Sequence, residues 1–202
     1  MAHKEIPPAQ ALELLMEGNQ RWVTGQLEHP HQSVERRLEV APHQDPFAVV
    51  FSCIDSRVPP EIVFDRGVGD LFVIRTGAQA LDDLVVLGSI EFGPNGYRSA
   101  RLIFVLGHEG CGAITAAIQS IQSGVPAPGH IQAVVDALRP AYDVAITQPG
   151  DDLVEKMVRA QVVLTVQRLQ NDPLIAELIQ KEGLKVVGGR YGLASGRVEL
   201  IA

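Results

Sequence analysis

Residues 47–57 read FAVVFSCIDSR, an apolar run of β-branched and aromatic residues that ends abruptly in polar ones. Strands that are buried on both faces of a parallel sheet have this pattern, because helices cover the sheet on each side. Similar short runs occur at Leu71–Ile74, Leu102–Leu106 and Leu184–Val187. We therefore expect Phe47–Ile54 to be an inner strand of a sheet that these runs complete.

Helical patterns separate the apolar runs. They cover Asp82–Phe92, Cys111–Ser123, Ile131–Ala145 and Leu153–Leu169. Strands that alternate with helices favour a parallel sheet. A last run, Arg197–Ile201, follows a turn and predicts an antiparallel edge strand. The predicted fold class is α/β, with a mostly parallel central sheet, an antiparallel edge strand and flanking helices.

Two further helices are expected before the first strand. Pro8–Thr24 has the apolar spacing of a one-sided helix, and Ser33–Val40 is a second candidate. Because they precede an already complete sheet, we expect them to reach over a partner subunit and bury their apolar face there. The chain is thus predicted to be one domain, 1–202, with a helical arm at 1–45 and an α/β core at 46–202.

Composition limits the classes of function. The chain has 202 residues, 46% of them hydrophobic, and a formal charge of −7, so it lacks the basic surface that nucleic-acid binding requires. A long run without charges, Ala113–Val135, contains prolines, glutamines and a histidine, which argues against a membrane helix. The N-terminus lacks the apolar core of a secretory signal, so we expect a cytoplasmic protein.

Three polar side chains mark the end of the first predicted strand. Side chains alternate along a strand, so Cys53, Asp55 and Arg57 can face the same side. Open parallel sheets bind ligands outside the carboxyl ends of their strands, and these residues lie at such an end. A thiol, a carboxylate and a guanidinium are therefore expected to converge at a binding site.

A second motif follows the third predicted strand. His108 and Cys111 are three residues apart at a strand-to-helix turn, which is a spacing of metal ligands. Taken alone, Cys53 and Cys111 could be small buried hydrophobic residues. Two thiolates and an imidazole from neighbouring strand ends suit one Zn²⁺ per chain and leave a fourth position open, as in catalytic sites. The other histidines are not expected to be ligands.

Together the two motifs resemble the signature of the β-class carbonic anhydrases. That signature reads Cys53-x-Asp55-x-Arg57 and His108-x-x-Cys111-Gly112 in this chain. Further similar stretches are Pro59–Glu61, Gly69–Arg75, Gly88–Phe92 and Gly188–Leu200. The resemblance implies reversible hydration of carbon dioxide to bicarbonate and a proton by zinc-bound hydroxide, in a homodimer or a higher homo-oligomer.

The resemblance also implies roles for individual residues. Arg57 can hold Asp55 ionised beside the metal-bound water, where Asp55 accepts a hydrogen bond and orients the attack on CO₂. In some members the equivalent aspartate binds zinc as a fourth ligand, so Asp55 is also a candidate metal ligand. The substrate-binding residues implied by the resemblance are Gln44, reaching across the dimer interface, Phe72, Phe92 and the backbone N–H of Gly112.

Two departures from the family pattern and two alternative functions remain. Val50 stands where branches regulated by bicarbonate tend to have Trp, and residues 75–79 invert the usual Ala-Gly order. The same zinc scaffold also resembles hydrolases of carbonyl sulfide or carbon disulfide. A non-catalytic zinc-binding dimer is the other alternative, but a structural metal would not need the outer groups Asp55, Arg57 and Gln44.

Overall fold

The computed structural model describes residues 6–202 and contains, within them, one five-stranded sheet of order β2-β1-β3-β4-β5. Its strands are β1 (Ala48–Cys53), β2 (Leu71–Thr76), β3 (Leu102–His108), β4 (Lys185–Tyr191) and β5 (Val198–Leu200). The first four strands are parallel, and β5 is antiparallel to β4. The predicted fold class is confirmed. Residues 1–5 of the predicted arm lie outside the described residues.

Within residues 6–202, the α-helices include all six that the sequence predicts and two that it does not. They are α1 (Pro8–Thr24), α2 (Val34–Val40), α3 (Pro60–Val63), α4 (Leu84–Gly96), α5 (Gly112–Ser123), α6 (Ile131–Ala145), α7 (Leu153–Gln170) and α8 (Pro173–Glu182). The unpredicted ones are α3 and α8, which both begin with proline. Asp172 caps α8 by accepting hydrogen bonds from the amides of Leu174 and Ile175. An Asp-Pro pair is a helix-start signal, so the sequence did contain a sign of α8.

The core lies on both faces of the sheet. Every residue of β1 and β3 is buried, as expected for inner strands covered by helices. On one face α7 packs directly on β3 at Gly107, where an added Cβ would lie 2.5 Å from Val162. Among residues 6–202, no helix combines the length and apolar character needed to cross a bilayer.

The N-terminal helix packs on the core of its own chain. Ala11 and Leu15 have no exposed surface and belong to the cluster on the second face of the sheet. The Asn19 amide donates to the carbonyl of Val63, and its oxygen accepts from the amide of Val198. The core-facing side of α1 is therefore buried without a partner, and its reach over a partner subunit stays a prediction. Helix α2 has no buried residue, and for it the expectation stays a prediction.

Candidate metal centre and active site

The predicted metal ligands converge at the carboxyl edge of the sheet. Neighbouring parallel strands end with Cys53 and His108, and Cys111 is the N-cap of α5. Their ligand atoms all lie within 4.8 Å of one another, and each residue is at most 2% exposed. Gly112 begins α5 beside this group and is exposed, so its N–H is one of the free amides of the helix N-terminus.

The geometry of these three residues fits a zinc ion. The sulfurs of Cys53 and Cys111 are 3.8 Å apart. Two sulfurs bound to one tetrahedral zinc at ordinary bond lengths are also about 3.8 Å apart. Nδ1 of His108 lies 2.9 Å from the carbonyl oxygen of Glu109, whereas Nε2 is buried without a hydrogen-bond partner among the described residues. Such an arrangement leaves the Nε2 lone pair available to a metal.

The electrostatics of the cysteine pair also favour a cation. The hydrogen bond from Cys111 lowers the pKa of Cys53 to about 4 against the opposing effect of burial, and the amide of Ala78 adds a contact of 3.3 Å. The same contact with Cys53, together with burial, raises the pKa of Cys111. Burial is the largest single influence on His108 and lowers its pKa, but the nearby Cys53 sulfur, the Glu109 carbonyl and the Asp55 carboxylate together raise it more, so the net shift is upward. Sulfur thus carries negative charge here, and a bound cation would displace the remaining protons.

An ionised carboxylate stands next to the metal group. Nε and one terminal nitrogen of Arg57 donate to the two oxygens of Asp55 at 2.9 and 2.7 Å. This hydrogen bonding holds the pKa of Asp55 well below its usual value. Oδ2 of Asp55 is 3.9 Å from Nε2 of His108, yet Asp55 is not part of the group of three whose atoms all lie close together. Its role as a zinc ligand stays a prediction.

Arg75 supports the backbone of the site, a role that the sequence analysis missed. Its Nε donates to the carbonyl of Cys53 at 2.7 Å, and a terminal nitrogen donates to the carbonyl of Asp55 at 2.6 Å. The guanidinium thereby fixes the backbone on both sides of Ile54. An arginine at the end of an otherwise apolar strand was the available signal, but the two carbonyls that it binds could not be identified from spacing.

The predicted substrate residues Gln44, Phe72 and Phe92 lie away from this centre within the chain. Cys53 pairs with the last residue of β2, and Phe72 is four residues earlier, or about 13 Å along the strand. Phe72 lies instead in an aromatic cluster with Phe92 and Tyr97, at ring-centroid distances of 6.3 and 5.1 Å. The Gln44 amide donates to the Tyr97 hydroxyl at 3.2 Å. Sequence reasoning missed Tyr97.

Comparisons with known proteins agree with this geometry. The family model described as "Carbonic anhydrase" matches residues 48–198. Carbonic anhydrase 2 of Mycobacterium tuberculosis is 40% identical over 194 residues, which cover 96% of this chain and 92% of that protein. A carbonic anhydrase of Mycolicibacterium smegmatis is also 40% identical over 194 residues, covering 96% of this chain and 93% of the relative.

Solved structures show the same fold. A tetrameric β-carbonic anhydrase of Sordaria macrospora matches with a TM-score of 0.74 and 22% identity, covering 95% of this chain and 96% of that chain. The Coccomyxa β-carbonic anhydrase, solved with acetazolamide, matches with a TM-score of 0.70 and 25% identity over 94% of this chain and 86% of that chain. Family model, curated relatives and fold agree, and this chain belongs to the β-carbonic anhydrase family.

Proposed function

We propose that the protein catalyses the zinc-dependent, reversible hydration of carbon dioxide to bicarbonate and a proton. The observation that carries this proposal is the group of Cys53, His108 and Cys111, with the unpartnered Nε2 of His108 and an ionised Asp55 beside it. These three residues would hold one zinc ion per chain. Three protein ligands leave one coordination position for a water molecule, as in catalytic zinc sites.

The chain's own residues would orient the attack on carbon dioxide. A zinc ion in this group supplies Lewis acidity, which lowers the pKa of a water molecule. Oδ2 of Asp55 would accept a hydrogen bond from that water and direct an oxygen lone pair toward the carbon of CO₂. The bidentate contact with Arg57 keeps this oxygen ionised and fixed in place. The carboxylate is thus an acceptor of constant charge at neutral pH.

The proton released by hydration must then leave the site. Nδ1 of His108 is engaged by the carbonyl of Glu109, so its imidazole is held as a ligand and is not free to carry protons. We propose that small buffer molecules remove the proton. The rate at low buffer concentration should then rise with added buffer, and a rate that does not depend on buffer would contradict this part of the proposal.

We further propose a homodimer across the exposed edge of β2. This edge strand pairs only with β1 among the described strands, and exposed apolar side chains lie near it on α4, including Leu84 and Val85. In such a dimer the cluster of Gln44, Phe72, Phe92 and Tyr97 would line the partner's metal site. Phe92 is 60% exposed in the single chain, which supports a surface completed by a second copy. Sedimentation showing a stable monomer would contradict it.

A cytoplasmic location is also part of the proposal. The sulfurs of Cys53 and Cys111 lie 3.8 Å apart and must stay reduced to bind a metal. The cytosol keeps thiols reduced, whereas oxidising compartments favour disulfides. Cell fractionation with an antibody to the protein would test the location, and recovery in a secreted fraction would contradict it.

Stopped-flow CO₂ hydration with a pH indicator tests the catalytic proposal. The protein should carry about one zinc per chain and give a fast rate that disappears after chelation and returns with zinc. The matched variant Asp55→Asn should keep zinc and lose most of the rate. If zinc is bound but no hydration is seen, assays with carbonyl sulfide and carbon disulfide decide between a sulfur-substrate hydrolase and a non-catalytic zinc protein.

A further inference from the structure

The orientation of the His108 ring depends on one backbone carbonyl. Nδ1 of His108 lies 2.9 Å from the carbonyl oxygen of the next residue, Glu109. A ligand histidine is oriented by the group that accepts its other N–H, and such partners affect metal affinity strongly. The position of the Glu109 carbonyl therefore determines where Nε2 points, and that position needs support of its own.

The backbone of Glu109 is held where the chain leaves the sheet. Its N–H donates to the carbonyl of Tyr191 at 2.9 Å, which continues the β3–β4 ladder one residue beyond His108. The next residue, Gly110, has φ of +58°, a left-handed conformation that suits glycine, and it forms the turn between β3 and Cys111. The carbonyl of Glu109 thus lies between the last ladder bond and a sharp turn.

The side chain of Glu109 supplies a second restraint. Its Oε2 accepts a hydrogen bond of 2.9 Å from the amide of Leu193, in the turn after β4. Its Oε1 lies 3.6 Å from a terminal nitrogen of Arg190, which also donates to Glu155 at 2.9 Å. Arg190 is mostly buried, with 18% of its side chain exposed. The carboxylate thereby links the turn at Gly110 to both β4 and the turn that follows it.

We propose that Glu109 is a positioning residue for the metal centre, an inference that rests on the proposed function. Its carboxylate fixes the turn that holds its own carbonyl, and that carbonyl orients the imidazole of His108 toward the two sulfurs. An exposed ion pair alone would contribute little to stability and nothing to metal binding. The contact with the Leu193 amide distinguishes Glu109 from such a pair, because it joins two backbone segments at the site.

Zinc affinity of full-length variants tests this role. Glu109→Ala removes both contacts, and we expect its zinc affinity to fall by about 10- to 100-fold in competition with a chromophoric chelator. Glu109→Gln should lose less, because its amide oxygen can still accept from Leu193. The visible absorption of the cobalt-substituted protein should change in Glu109→Ala, since it reports ligand geometry directly. Unfolding by urea measures the general effect on stability.

Glu199→Ala is the matched control. An ionic cluster links Glu109 to Glu199 through Arg190, Glu155 and Arg159. Glu199 binds Arg159 at 2.6 Å, and within residues 6–202 no hydrogen bond or ion pair joins its side chain to His108 or to the turn at Gly110. We expect it to keep the wild-type zinc affinity and cobalt spectrum. If Glu109→Ala does not fold, Glu109→Gln is compared with Glu199→Gln: a smaller loss of zinc affinity in Glu109→Gln alone supports the role, and equal affinities in the two variants overturn it.

Two results would overturn the inference. One is a folded Glu109→Ala variant whose zinc affinity and cobalt spectrum match those of the wild type. The other is an equal loss of affinity in the Glu109 and Glu199 variants, which would show a general effect of the ionic cluster. Wild-type protein that binds no zinc at Cys53, His108 and Cys111 would instead contradict the proposed function, so the two failures are distinguishable.

Discussion

Arg57 holds Asp55 in a bidentate grip, with Nε at 2.9 Å from Oδ1 and a terminal nitrogen at 2.7 Å from Oδ2. The arginine side chain is 56% exposed, whereas the aspartate side chain is only 14% exposed. Arg57 thus holds the carboxylate of Asp55 beside the three predicted metal ligands, where Oδ2 of Asp55 lies 3.9 Å from Nε2 of His108.

Asp55→Asn is expected to lower kcat for CO₂ hydration by about 10²-fold or more, the usual size of a lost proton-accepting contact. The amide has the size of the carboxylate but lacks its charge and one of its two acceptors. Zinc content should stay the same, because Cys53, His108 and Cys111 are unchanged. The exposed Asp143 on α6 offers the control Asp143→Asn, which should keep full activity. Equal rates in the wild type and Asp55→Asn would refute the role.

Arg57→Gln is expected to make activity sensitive to acid. Hydrogen bonding from Arg57 lowers the pKa of Asp55, so the wild-type carboxylate stays ionised at every pH above its ordinary value of about 4. Its contribution to stability is likewise present above that pH and is lost as the pH falls further. Without Arg57 the pKa rises, so protonation begins at higher pH.

The measurement for Arg57→Gln is kcat/KM as a function of pH on the zinc-loaded enzyme. The acid side of the profile should move to higher pH than in the wild type. A profile of unchanged shape and lower height would mean that Arg57 acts in some other way, for example by binding bicarbonate.

Ala78→Gly is expected to change the free energy of unfolding little, because relief of the left-handed backbone, which costs an alanine about 1–2 kcal/mol, is offset by the chain entropy of glycine and by the loss of a methyl group that is only 1% exposed. Ala78 has φ of 52° and ψ of 35°. It stands second in the Gly77-Ala78 pair, where the usual Ala-Gly order would place glycine. The N–H that donates to the sulfur of Cys53 is retained in the variant.

The free energy of unfolding in urea measures this effect. Ala80→Gly is the control, since Ala80 has φ of −62° and gains nothing from glycine. It should lose stability by about 0.5–1 kcal/mol or more, through chain entropy and the buried methyl group. A loss of stability in Ala78→Gly as large as that in Ala80→Gly would contradict the prediction.

Glu91→Gln is expected to raise stability at neutral and alkaline pH. Burial is the main cause that raises the pKa of Glu91, and the carboxylate of Asp172 adds repulsion and a hydrogen bond. The folded state therefore binds this proton more tightly than the unfolded chain, so stability falls as the pH rises through the unfolded value of about 4.3 and beyond. Glutamine has no proton to lose.

The melting temperatures of Glu91→Gln and the wild type should differ most above neutral pH and converge in acid. The exposed Glu13 on α1 offers the control Glu13→Gln, for which no such trend is expected. A gain in Glu91→Gln that is independent of pH would mean that packing, and not charge, is responsible.

Much of the fold and the metal centre was predictable from local patterns. Runs such as Phe47–Ile54 are apolar because helices cover both faces of the sheet, so sequence and burial agree there. The trio of Cys53, His108 and Cys111 was predictable because parallel strands carry their carboxyl ends to one edge. Helix α8 was missed although Asp172 and Pro173 mark its start, because its apolar pattern is short.

The sequence by itself determined the alternation of strands and helices and the identity of the three ligand residues, since both depend on residue type and short spacing. Only the tertiary structure decided that α1 packs on its own chain, that Arg75 binds the carbonyls beside Ile54, and that Glu109 meets Leu193. Glu109 and Leu193 are 84 positions apart in the sequence. Such contacts depend on how distant segments pack and on the direction of each side chain, which no local pattern contains.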